Sequence, residues 1–202
     1  MKAAEAGVVQ QNSFFLLYRK VAMPNFPGSL LDNVQTAIKR PDVVGVVVVD
    51  EQGDPPAAYP QRPHQQQVLL FAARFGLPVW LIELNPNPAN PNIATRTQLR
   101  AFLPQNVPVI TKRGLNAFHN TNLLAQLQHA HVDTIVLMGF ASNQCVKLTA
   151  VGGHEGSPTN PGPFNDGATG LMLTVMTCQN ILRGGSVGDW IATPGVEFYE
   201  RV

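Results

Sequence analysis

The chain has 202 residues, enough for one enzyme-sized domain with an ample core. Fourteen Lys and Arg against 13 Asp and Glu leave a formal net charge of +1, and no basic run interleaves with aromatics, so neither nucleic acid nor a membrane surface is an expected partner. Hydrophobic residues make up 45% and charged ones only 13%, which predicts further apolar burial between the subunits of a homo-oligomer.

Read from the N-terminus, the apolar run Phe14-Phe15-Leu16-Leu17 is too short for a signal-peptide core and is followed at once by Tyr18-Arg19-Lys20. No stretch is long enough to span a bilayer. A cytoplasmic location is expected, in which Cys145 and Cys178 would both stay reduced. Ser29 can cap a helix over Leu30 to Ile38, so the first forty residues read as an extra strand and helix ahead of the main sheet.

Val43 to Val49 is a β-branched run ending at Asp50, the pattern of a strand covered on both faces in a parallel sheet. His64 to Phe75 sets Val68, Leu69, Phe71, Ala72 and Phe75 at helical spacing; Gly76 ends that helix, and Leu77 to Leu84 returns as a strand. A Pro- and Asn-rich loop over Asn85 to Asn92 leads to a short helix around Thr95 to Phe102 and a strand at Val107 to Thr111. A helix over Asn120 to His129, a strand over Thr134 to Gly139 and a helix over Asn143 to Val151 follow.

His154 to Asp166 is too rich in Gly and Pro for regular structure and reads as a long surface loop. Leu173 to Thr177 and Val196 to Tyr199 are the last strand candidates. Strands alternating with helices predict an α/β fold: a three-layer αβα sandwich around a mostly parallel, doubly wound, Rossmann-like sheet of about six strands. The whole chain, residues 1–202, reads as one domain, with an N-terminal extension at 1–42 and the long loop at 153–166.

Three polar residues fall at the carboxyl ends of predicted strands: Asp50, Lys112 and Cys145. In an open α/β sheet that edge is where ligands bind. Each has a plainer reading alone, since Asp after a strand commonly caps a turn, Lys112 beside Arg113 suits a solvated basic pair, and a lone cysteine suits a core. Cys145 is set apart by its place where a strand turns into a helix. There, unpaired N–H groups and the helix dipole are expected to lower a thiol's pKa. Together the three supply a nucleophile, a cation and a carboxylate to move a proton.

The surroundings of these residues resemble the isochorismatase-like cysteine hydrolases. Val47-Val48-Val49-Asp50-Glu51-Gln52 is similar to that family's apolar strand ending in Asp-x-Gln, and Leu69 to Val79 is similar to its next helix and strand. Lys112-Arg113-Gly114-Leu115-Asn116-Ala117-Phe118-His119-Asn120-Thr121-Asn122-Leu123 matches the lysine motif. Gly139-Phe140-Ala141-Ser142-Asn143-Gln144-Cys145-Val146, with Thr149-Ala150, matches the nucleophile motif. The resemblance covers residues 43 to 152 well and Thr174 to Thr177 loosely, and finds no counterpart for 1–42 or 153–166. After Thr177 the family's usual acidic residue is replaced by Cys178-Gln179, and the helix expected next shortens to Ile181 to Trp190.

The resemblance implies that Cys145 attacks a carbonyl carbon, that Asp50 moves the proton and that Lys112 orients Asp50. It further implies an oxyanion hole from the N–H groups of Ala141 and Cys145, and a cis peptide at Phe140–Ala141. Metal-binding members carry an Asp-x-His pair with further histidines between the first two motifs. That interval here holds only His64, so neither a metal nor another cofactor is expected. Gln52, Tyr59, Phe118 and Phe140 are candidate substrate contacts, and His119 reads as a surface histidine at a helix start. The implied substrate is a small molecule with an amide or ureido C–N bond. Two rival readings are an isochorismatase-type vinyl-ether hydrolase, which does not need the cysteine, and a catalytically silent oligomeric scaffold of the same fold.

Overall fold

A computed structural model describes residues 26–39, 43–53, 59–85, 93–153 and 166–202. The expectations for residues 14–17 and for most of the loops at 85–92 and 153–166 lie outside the described residues.

Strand β1 (Phe26–Ser29) runs straight into α1 (Leu30–Ala37), with Ser29 as the cap accepting from the Asp32 N–H at 3.5 Å. The valine run forms β2 (Val44–Val49), buried along its whole length. Helix α2 (Arg62–Phe75) buries Val68, Leu69 and Ala72 and ends at Gly76, whose φ of 66° closes a left-handed cap bonded to the Ala72 carbonyl. Then follow β3 (Val79–Leu84), the single turn α3 (Thr97–Arg100), β4 (Val109–Lys112), α4 (Leu123–His129), β5 (Thr134–Phe140) and α5 (Cys145–Val151). The chain continues through β6 (Thr174–Cys178), β7 (Leu182–Arg183) and β8 (Val196–Arg201).

The sheet order is β1-β8-β6-β5-β2-β3-β4, each pairing parallel, with β7 adding to the end of β5. The sheet therefore has eight strands rather than about six, because β1 docks beyond β8 and β7 is too short to show in an apolar pattern. The helix expected over Ile181 to Trp190 is absent. Two 3₁₀ turns, Gln179–Ile181 and Gly188–Trp190, flank β7 instead. Gly184 and Gly185 explain this, since they take φ of 70° and 86°, which no right-handed helix uses.

Alternation along the strands divides the core into two. Val47 and Val49 of β2 pack with Ile135 and Leu137 of β5 against α4 and α5. Val46 and Val48 face the other way, with Val136 and Met138, toward α1, α2 and α3. Both sheet faces are thus covered, as β-branched central strands require. Among the described residues no helix is long and apolar enough to cross a membrane.

Candidate active site

The chain passes from β2 through β3 to β4 on one side, then returns across β2 to place β5 on the other. The crossover directions diverge between β2 and β5, which opens a crevice at their carboxyl ends. Asp50 stands at the end of β2, and Cys145 begins the helix after β5. Close approach of the two strands depends on Gly139, which pairs with Val49 and has φ of 139°. A Cβ there would lie 2.0 Å from the Val49 carbonyl oxygen.

Lys112, the last residue of β4, reaches past β3, and its Nζ lies 2.8 Å from Asp50 Oδ2. It also donates to the carbonyls of Gly114 at 2.9 Å and Leu115 at 3.0 Å. Three oxygens thereby fill the donor capacity of a buried ammonium. Asp50 is itself buried, takes a left-handed φ of 52°, and lies close enough to Cys145 for each group to perturb the other's ionisation. The three residues picked from separate motifs converge on one another.

Electrostatics at the sulfur run against the expectation of a lowered pKa. Burial first, and the Asp50 charge second, push the Cys145 thiol up to about 11, outweighing the ammonium of Lys112. Burial likewise raises the Asp50 carboxyl above its ordinary range, against the pull of Lys112. Cys145 is 6% exposed and α5 is only seven residues long, so desolvation prevails over the short helix's dipole. At neutral pH the proton rests on sulfur.

The Phe140–Ala141 peptide is cis. The amides of Ala141 and Cys145 donate to no backbone carbonyl of the described residues, whereas those of Ser142, Gln144 and Val146 do. Thr149 ties the motifs together: its hydroxyl donates to the Cys145 carbonyl at 2.7 Å and accepts from the Ala117 N–H at 3.0 Å.

The four candidate substrate contacts differ in how they are held. Gln52 is engaged by main chain: its Oε1 accepts from the Leu84 N–H at 2.7 Å and its Nε2 donates to the carbonyls of Leu84 and Ile93. Phe118 packs on the core beneath α4 and α5. Phe140 is 39% exposed at the crevice edge. Tyr59 is half-buried, and its hydroxyl donates to Gln65 Oε1 at 2.9 Å. His119 lies 3.8 Å from Asp166 and is partly exposed.

The sequence reading missed a second buried cluster beside Asp50. Glu51 is fully buried and points toward α2, where Gln65 donates to it at 3.0 Å. The Nε groups of Arg96 and Arg183 each donate to it at 3.1 Å. Both guanidiniums lie over the Tyr59 ring, at 5.3 and 5.1 Å. Arg96 and Arg183 stand 45 and 132 residues from Glu51, and nothing local marks them as its partners. The one available signal was an acidic residue closing a strand buried on both faces. Among the described residues, no group of three or more His, Cys, Asp or Glu side chains converges in a metal-binding arrangement.

A comparison with protein families matches residues 11–156 to the isochorismatase domain. The chain belongs to the isochorismatase family. The match starts well upstream of residue 43, so β1 and α1 fall within the family's domain, although the motif-based resemblance left them without a counterpart. A search of curated protein sequences gives no significant match. Among solved structures, the fold is similar to N-carbamoylsarcosine amidase from Thermoplasma acidophilum, at 18% identity and a TM-score of 0.59, over 78% of this chain and 95% of that one. It is also similar to a nicotinamidase from Staphylococcus aureus, at 13% identity and a TM-score of 0.61, over 79% and 98%. An isochorismatase from Pseudomonas putida KT2440 matches at 15% identity and a TM-score of 0.57, over 87% and 97%. These likenesses show the same mostly parallel α/β fold as those structures.

Proposed function

We propose that the protein is a metal-independent cysteine hydrolase that cleaves the C–N bond of a small amide or ureido compound through a thioester on Cys145. The observation that carries this reading is the placement of Asp50 between the Lys112 ammonium and the Cys145 thiol in a buried site. A thiol held near pKa 11 needs a base at the moment of attack, and Asp50 is the carboxylate in reach.

As sulfur attacks the carbonyl carbon, Asp50 accepts the thiol proton while Lys112 keeps its charge balanced. The oxyanion falls to the amides of Ala141 and Cys145, which donate to no backbone carbonyl among the described residues. Collapse breaks the C–N bond, and the proton on Asp50 passes to the departing nitrogen. Water then attacks the thioester and gives its proton to Asp50; the sulfur leaves and recovers that proton, releasing the acid. Cys145 and Cys178 are both free thiols.

The test is a panel of small amides and ureides assayed for ammonia or amine release, with intact-mass detection of an acyl adduct on Cys145. Release by the parent, none by Cys145→Ala, and a loss of about 10²–10⁴-fold in Asp50→Asn are expected. Hydrolysis of a vinyl ether by Cys145→Ala at the parental rate would replace this reading with the cysteine-independent one. Absence of any turnover or adduct would favour a silent binding protein.

A further inference from the structure

The turn from Ala141 to Gln144, which carries the Ala141 amide and leads to the Cys145 amide, has few anchors of its own. Helix α5 begins without a side-chain cap, and the amides of Gln144 and Val146 both donate to the Ala141 carbonyl, at 3.0 and 3.2 Å. Its remaining anchors come from a distant part of the chain. Ser142 is fully buried and directs each of its polar groups to the segment from Arg183 to Trp190. Its N–H donates to the carbonyls of Arg183 at 2.9 Å and Gly184 at 2.8 Å, and its hydroxyl donates to the Gly184 carbonyl. Its own carbonyl accepts from the Trp190 indole N–H at 3.0 Å.

Trp190 is itself gripped from α5. Its ring is fully buried in the core that includes Val146 and Ala150. Lys147, two residues beyond Cys145, sets its ammonium 4.7 Å from the indole centroid and donates to the Asp189 carbonyl at 3.0 Å and to the Thr193 hydroxyl. That hydroxyl donates in turn to the Asp189 carbonyl at 2.7 Å. One indole therefore bridges the turn ahead of Cys145 and the first turn of the helix behind it. A phenylalanine would fill the same core, so what tryptophan adds is an N–H aimed at the carbonyl of the residue next to Ala141. Peptide units are rigid planes, so releasing that carbonyl lets the plane between Ser142 and Asn143 swing and disturbs the amides on either side.

We propose that Trp190 is a positioning residue for acyl transfer: through the Ser142 carbonyl, its indole N–H holds the Ala141 and Cys145 amides in the orientation that receives the oxyanion. This rests on the cysteine-hydrolase reading above and adds to it the brace of its oxyanion hole.

Two reagents separate oxyanion stabilisation from thiol reactivity. p-Nitrophenyl acetate acylates a thiol through a tetrahedral oxyanion: the S–C bond forms, the C–O bond to p-nitrophenolate breaks, and the thiol proton passes to Asp50. Iodoacetamide alkylates the same sulfur by displacing iodide, and no oxyanion forms. Rate constants for the two reactions at Cys145, located by mass spectrometry and corrected for the Cys145→Ala background, are read as the ratio of acylation to alkylation. In Trp190→Phe, which keeps a buried ring and loses the N–H, that ratio is expected to fall about tenfold, less than the roughly 10²–10³ that follows outright removal of an oxyanion donor. The pH profile of alkylation should stay as in the parent. Lys147→Met leaves the indole in place and frees one side of it, so the ratio should fall by less; this variant decides the matter if Trp190→Phe does not fold. A ratio unchanged from the parent overturns the proposal, and so does an equal fall in both rates, which is what lost packing alone produces. A parent alkylated but not acylated at Cys145 overturns it too, while leaving the nucleophile in place. Failure of both reagents at Cys145 of the parent removes the nucleophile, and the brace falls with it.

Discussion

Lys112 is an ammonium with no exposed surface and three oxygen partners, and its chemistry is read most directly through Asp50. Burial holds the Asp50 carboxyl above its ordinary range while Lys112 pulls it down. Removing the cation takes away the main influence that opposes burial, so Asp50 would bind its proton more tightly. The proton-accepting form is the carboxylate, so activity rises with pH through the Asp50 pKa. Lys112→Met should therefore move the acid limb of kcat/KM, or of Cys145 alkylation, to higher pH, and the pH profile of parent against variant checks this. Asp50, Lys112 and Cys145 were legible in the sequence because each closes or follows an apolar strand run. The direction of the thiol's pKa was not legible, since strand-to-helix position is a local feature and burial to 6% is a property of the packed crevice.

Between elements, the site depends on a buried side chain that contacts no reacting atom. Thr149 joins α5 to the lysine motif by donating to the Cys145 carbonyl and accepting from the Ala117 N–H. Thr149→Val keeps the shape and leaves a buried N–H unsatisfied, which costs about 1–3 kcal/mol. Urea unfolding should show a lower midpoint with an unchanged slope. Strands and helices of the main sheet were readable from periodicity, including the caps at Ser29 and Gly76, because burial on one or both faces leaves a pattern in sequence. The segment from Ile181 to Trp190 was misread as a shortened helix. Its two-residue β7 carries no periodicity, and its shape is set by Gly184 and Gly185 pressed against Phe140 and Asn143.

Across the molecule, Glu51 holds together parts of the chain that share no local signal. Its carboxylate meets Gln65 on α2, Arg96 before α3 and Arg183 on β7, and Gln65 donates onward to the Ile181 carbonyl at 3.0 Å. Glu51→Gln leaves two guanidiniums around a neutral amide, and breaking such a buried set costs about 3–5 kcal/mol. Chemical denaturation of the variant should show a loss of that size.

By itself the sequence determined a parallel α/β sheet covered on both faces and three chemical groups at its carboxyl edge. Valine runs, helical spacing and strand-end polar residues are short-range patterns, and short-range patterns survive in a linear reading. Only the tertiary structure decided that Lys112 reaches past a strand to Asp50, that the Cys145 thiol keeps its proton, and that Glu51 gathers two distant arginines. Charge balance and desolvation act through space over a few ångströms, and those distances exist only once the crossover between β2 and β5 brings remote segments together.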